Sequence, residues 1–211
     1  MTTDPDSTDP GRTDPNSTDP NSTDVKHELH LKLDVSRTAM LAAVKGLGER
    51  DLRRPMTTTG TNLLGLVKHL IGIEHVYLGH AFGRPPPDVL PWVEDGSVWD
   101  GADMWATADE ASDELVVLYR RACAHSDETI DALDLQAVGS VPHWPEERRA
   151  TPLAVLPVRM VDETPRHAGH ADILRELVDG RAGSDHDDMM DPAGWRAYVA
   201  RIQAVANTFA R

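Results

Sequence analysis

Thr151-Pro-Leu-Ala-Val-Leu-Pro-Val-Arg-Met160-Val-Asp-Glu-Thr-Pro-Arg-His-Ala-Gly-His170-Ala-Asp-Ile-Leu-Arg-Glu-Leu-Val-Asp-Gly180 is the stretch that decides the fold. Leu153, Leu156, Met160, Thr164, Ala168, Ala171, Leu174 and Val178 recur at intervals of three or four, the spacing of one helix face. Thr151 followed by Pro152 reads as a cap with proline at the first helical position, and Gly180 as the stop. On such a helix Glu163 and His167 stack one above the other, on a face shared with His170 and Leu174. A polar pair on the half that faces the interior calls for a partner, because an unpaired buried carboxylate carries a large desolvation cost.

Outward from this helix the chain reads as all-α. A first helix spans about Val25 to Leu47, with Leu29, Leu33, Met40, Val44 and Leu47 in phase. A second begins near Thr59 or Thr61 and runs to Phe82, carrying Leu63, Leu66, Leu70, Ile73 and Tyr77 on one face. A third is expected from Thr107-Ala-Asp-Glu110, a capping-box pattern, with Ala111, Leu115, Leu118 and Ala122 inward. A short fifth helix follows Asp191-Pro192, with Trp195, Tyr198, Ile202, Val205 and Phe209 inward. No stretch shows convincing strand alternation. The expectation is a four-helix bundle with an additional C-terminal helix over residues 25–211.

Two segments fall outside this pattern. Residues 1–24 repeat Ser-Thr-Asp-Pro units and have no hydrophobic residue after Met1, so they read as a disordered, low-complexity tail. Between Gly83 and Trp105 runs a connection rich in proline and glycine that contains Trp92, Trp99 and Trp105. Connections of that length inside a domain often cover a site, and these tryptophans are the expected cover.

His69 lies on the apolar side of the second helix, between Leu66, Leu70 and Ile73. By itself it reads as a buried, hydrogen-bonded core histidine rather than a ligand. Joined to Glu163 and His167 it completes a three-ligand metal set, which leaves a coordination position open as catalytic zinc sites do. Two imidazoles and one carboxylate suit zinc, and with open positions also ferrous iron or nickel. A Glu163–Arg166 ion pair is the competing reading of the carboxylate, and a metal-free hydrogen-bonded cluster that of the whole trio. His170 reads either as a proton carrier next to the site or as a surface histidine. Gly65, Gly72 and Gly79, seven apart, would permit close helix approach. Cys123 reads as a packing residue.

Composition narrows the partners. The 211 residues carry 35 acids against 21 bases, and taking the tail's −5 from the total of −14 leaves the remainder at −9. Such a surface repels phosphate backbones, which argues against nucleic-acid binding. At 40% hydrophobic residues the chain has enough for one core, and no apolar run reaches spanning length, which argues against a membrane protein. One cysteine and an acidic start without a greasy stretch point to the cytoplasm. Monomer and homodimer both stay open.

Two motifs taken together, Leu63-Leu-Gly-Leu-Val-Lys-His-Leu70 and Asp162-Glu-Thr-Pro-Arg-His-Ala-Gly-His-Ala-Asp-Ile-Leu-Arg-Glu-Leu-Val-Asp-Gly180, resemble the DinB-like superfamily over roughly residues 25–182. The closest branch is an actinobacterial one related to mycothiol-dependent maleylpyruvate isomerase. The resemblance implies a four-helix bundle with a divalent metal, often zinc or nickel, held by His69, Glu163 and His167. It also implies chemistry on a small molecule with a low-molecular-weight thiol such as mycothiol, by transfer or isomerisation. Some relatives have no demonstrated activity, and a non-catalytic metal-stabilised binding or stress-response module is the alternative. Pro165 stands where relatives carry alanine, and a kink there would bear on the ligand geometry.

Overall fold

The computed structural model describes residues 24–181, 183 and 186–210. Its helices are α1 (Val25–Val44), α2 (Glu49–Arg53), α3 (Leu63–Leu78), α4 (Pro91–Glu94), α5 (Ser112–Ala132), α6 (Glu146–Arg149), α7 (Val155–Asp179), α8 (His186–Met189) and α9 (Pro192–Asn207). The expected tail falls outside the described residues except for Asp24, whose carboxylate caps α1 by accepting from the Lys26 and His27 backbone N–H groups. No helix among the described residues is long and apolar enough to cross a membrane.

Four long helices make the bundle. α1 packs along α7 and α3 along α5, and α7 also lies against α3. The periodicity of α7 is realised in full at its centre: Leu156, Met160, Thr164, Ala168, Ala171 and Leu174 are all buried. α3 is the most enclosed element, with both faces apolar and only a few positions open. Inside the bundle lies one charged pair that hydrophobic patterning hides. The Arg37 guanidinium donates through Nε and Nη2 to both oxygens of Glu74, at 2.8 and 2.7 Å. Burial by itself would make Arg37 easier to deprotonate; Glu74 outweighs it and locks the guanidinium in its charged form.

Several boundaries differ from the sequence expectation, each for a local reason. Glu110 does accept from the Thr107 backbone N–H at 2.7 Å, but this closes an isolated turn and α5 starts only at Ser112. The same carboxylate is drawn to Lys68 Nζ, which lies 2.8 Å away. Thr151-Pro152 does not open α7. It belongs to β2 (Ala150–Pro152), paired antiparallel with β1 (Val138–Ser140) in a two-stranded ribbon too short to show alternation. α7 therefore begins at Val155, and Pro157 falls in its first turn, where a missing N–H costs nothing. Pro165 is inside α7, which runs through it unbroken.

The C-terminal helix forms as its Asp191-Pro192 start predicts, with Asp191 accepting from the Gly194 N–H at 2.6 Å. Its apolar side does not turn inward: none of its residues is buried, and Tyr198, Ile202, Val205 and Phe209 are 39–80% exposed. His186 to Met189, read as loop from the sequence, form the single turn of α8.

Candidate metal centre and its cleft

α3 and α7 bring His69, Glu163 and His167 together. One ligand atom from each lies within 4.8 Å of the other two. Glu163 Oε1 is the meeting point, 3.1 Å from His167 Nε2 and 3.5 Å from His69 Nε2. The two imidazole rings stand edge to face, 4.9 Å between centroids. All three side chains are mostly buried, at 13–18% exposure, so a small opening connects them to solvent.

The other oxygen of Glu163 is held by Arg159, one turn earlier on α7, at 3.1 Å. Arg166, the partner considered from sequence, instead pairs with Asp162 on the exposed side of the helix at 3.2 Å. Burial works to raise the Glu163 pKa, but Arg159 and the two imidazoles prevail and hold it below the ordinary carboxylate value. Burial lowers His167, helped by the neighbouring His69, so this ring is neutral at neutral pH. Burial would also lower His69, yet the Asp103 and Glu163 carboxylates reverse that and raise it.

Asp103 is the residue that sequence reasoning missed. Its Oδ2 lies 2.7 Å from His69 Nδ1, which leaves Nε2 to face Glu163 and His167. Asp103 sits in a single 3₁₀ turn, Ala102–Met104, too short to carry a periodic signal, and only its place between Trp99 and Trp105 hinted at it. Its placement depends on α3. A Cβ on Gly65 would collide with the Met104 carbonyl oxygen, so only glycine lets this segment come so close. The same carbonyl accepts from Asn62 Nδ2 at 3.1 Å, while Asn62 Oδ1 caps α3 by accepting from the Gly65 N–H. Lys68 completes the anchor, bonding the Trp105 carbonyl at 3.1 Å and lying 4.4 Å over the Trp92 ring. Of the glycines spaced by seven, Gly65 admits a loop, Gly79 is crowded by the His75 carbonyl of α3 and by Pro86 and Arg84, and Gly72 faces open space.

From His69 and Asp103 a cleft of about 300 Å³ runs along α3, walled by Ile73, Val76, Val93 and Val98. Trp99 forms part of its rim and is 77% exposed. The expected tryptophan cover is therefore Trp99 alone. Trp92 is buried under Lys68, and Trp105 does not line the cleft. At the far end Tyr77 Oη and His143 Nε2 are 3.4 Å apart. His170 lies next to the site, exposed, with its ring centroid 5.6 Å from that of His167.

Two other groups are excluded from the chemistry by their neighbours. His30, Asp34 and Asp127 also converge, but Arg37 Nη1 already lies 2.6 Å from Asp127 and 3.1 Å from Asp34, supplying the positive charge that a cation would bring. Cys123 Sγ lies 3.8 Å from Glu74 Oε1, and burial with that carboxylate pushes its thiol well above the ordinary value, so it packs as an inert group.

No curated protein matches the chain. A family model described as Mycothiol-S-transferase does, over residues 28–180. That match runs from the first turn of α1 to the glycine that ends α7, takes in all four bundle helices and the loop bearing Asp103, and stops before α8 and α9. The chain belongs to the mycothiol-S-transferase family, a DinB-like family.

Proposed function

We propose that the protein is a metal-dependent transferase that joins a small thiol, mycothiol, to an electrophilic small molecule. The convergence of the His69, Glu163 and His167 donor atoms, with His69 also lining a cleft, is the observation that carries this reading. The donor set fits a divalent ion of the zinc, nickel or ferrous type: two imidazole nitrogens and an ionised carboxylate oxygen, with one imidazole oriented from behind by Asp103. Only three protein donors are present among the described residues, so room is left for a ligand.

A divalent ion bound there supplies positive charge that favours thiolate over thiol at neutral pH. The protein's own residues do the rest. Asp103 holds the His69 ring in the tautomer that turns Nε2 toward the donors. Arg159 fixes the carboxylate plane of Glu163 through the oxygen that the histidines do not use. His170, exposed beside His167, carries the thiol proton to solvent. The apolar walls exclude water from the approach to sulfur. The single cysteine, the half-buried Cys123, and the small-thiol chemistry support a cytoplasmic location.

The test is metal analysis of untagged protein together with a conjugation assay using mycothiol and, for comparison, glutathione. Stoichiometric metal and mycothiol-dependent conjugation, both abolished in His69→Ala and His167→Ala, are expected. Full metal content in both variants refutes the ligand assignment. Bound metal without conjugation of any thiol favours the non-catalytic module.

A further inference from the structure

The cleft beside the donor atoms has a chemical character of its own. Its walls are aliphatic, from Ile73 and Val76 on α3 and from Val93 and Val98 in the connection. Val93 and Trp99 leave 40% and 77% of their surfaces exposed along it, an apolar lining that water covers poorly. Its polar groups come as two pairs already bonded to each other, His69 with Asp103 and Tyr77 with His143. Among the described residues that line it, none is a lysine or an arginine. Part burial and the nearby Arg159 lower the His143 pKa, which favours a neutral ring at that end of the cleft.

Gly72 is the one lining residue without a side chain, and a Cβ built on it meets nothing within 4 Å. In the middle of a helix glycine is a poor choice, since alanine there is more stable. No turn, positive φ or close neighbour explains it. What its absent side chain provides is space in the cleft.

We propose that this cleft binds the electrophile, that the electrophile is an uncharged molecule built on one aromatic ring or of similar apolar bulk, and that Gly72 sets the size it accepts. This rests on the thiol-transfer reading above. An aliphatic cavity of about 150 Å³ suffices for benzene, so the volume here takes a substituted ring. The wall places the ring along α3 with its reactive carbon toward His69. The thiol loses its proton to solvent, and its sulfur forms a bond to that carbon. The acceptor then releases a halide with the bonding electron pair or, in a conjugate addition, takes a proton on the carbon beside its carbonyl.

Three variants test this: Gly72→Ala, Gly72→Leu and Trp99→Phe, the last to identify the reporting fluorophore. The probes are unreactive 1,3-dinitrobenzene, read by quenching of tryptophan fluorescence, its charged analogue 3,5-dinitrobenzoate, and the reactive 1-chloro-2,4-dinitrobenzene and iodoacetamide. Both Gly72 variants should melt at or above the wild-type temperature. Gly72→Leu should weaken dinitrobenzene binding about tenfold or more and lower kcat/KM for the chlorinated ring by a similar factor. The KM for the thiol and the rate with the small iodoacetamide should stay unchanged. Wild-type protein should bind the carboxylate at least about tenfold more weakly than the neutral ring. Equal dinitrobenzene affinity in wild type and Gly72→Leu, or equal affinity for the neutral and charged rings, overturns the proposal. Ring binding that Gly72→Leu abolishes, in a wild-type protein that conjugates no thiol, supports the cleft's ligand class and refutes the transferase reading instead.

Discussion

Asp103 Oδ2 stands 2.7 Å from His69 Nδ1, so a residue of a short 3₁₀ turn fixes which nitrogen of an α-helical histidine faces Glu163 and His167. A carboxylate behind a ligating histidine orients the ring and raises its basicity, and removing such a partner typically weakens metal binding about 10- to 100-fold. Asp103→Ala should show a loss of that size in a chelator competition, whereas His69→Ala should lose the metal altogether. Wild-type affinity in Asp103→Ala would mean that packing alone orients the ring.

Gly65 offers a test at one remove from the site. A methyl group there collides with the Met104 carbonyl, a backbone atom that cannot move without carrying Asp103 along. Gly65→Ala should therefore destabilise the protein by about 1–3 kcal/mol and weaken metal binding as Asp103→Ala does. A Gly65→Ala protein with wild-type stability and affinity would show that the loop has slack.

Pro165 interrupts the hydrogen-bond ladder of α7 between two candidate ligands, yet Glu163 and His167 remain 3.1 Å apart across it. Replacement by alanine returns a donor to the Val161 carbonyl and should stabilise the protein by roughly 1–3 kcal/mol in denaturant melts, with metal content unchanged. A drop in metal affinity would assign the proline a role in shaping the site.

His75 makes stability depend on pH. It is 2% exposed, neither ring nitrogen has a hydrogen-bond partner, and burial lowers its pKa to about 4. In the unfolded chain the ring titrates near its ordinary value of about 6.5, so below that pH the unfolded state binds a proton that the native state refuses. Stability present at pH 7 is thus lost as pH falls from about 6.5 toward 4, by about 2 kcal/mol at pH 5. Denaturant melts of wild type and His75→Phe at pH 7 and pH 5 should differ in slope with pH by this amount. The same pH dependence in both would remove His75 from the account.

The bundle was legible in the sequence because its signal is periodic. α7 declares its buried face through Leu156, Met160, Thr164, Ala168, Ala171 and Leu174, and the spacing of Glu163 and His167 puts them on one side of it. Helix starts were less legible. The capping pattern at Thr107 and the Thr151-Pro152 pair are genuine local signals. Tertiary partners redirected them, Lys68 taking Glu110 and β1 taking Thr151 into a ribbon.

What the sequence by itself determined is the four long helices of the bundle and the faces they bury, since both follow from local backbone preference and a 3.6-residue repeat. It also determined the start of α9 at Asp191-Pro192, but not where that helix packs, because an apolar stripe says only that one side avoids water. The tertiary structure alone decided that Asp103 stands behind His69, that Arg159 rather than Arg166 holds Glu163, and that Gly72 opens on a cleft while Gly65 admits a loop. Each of these joins residues through space across irregular chain or by a side chain's direction, and neither leaves a repeat for a sequence to show.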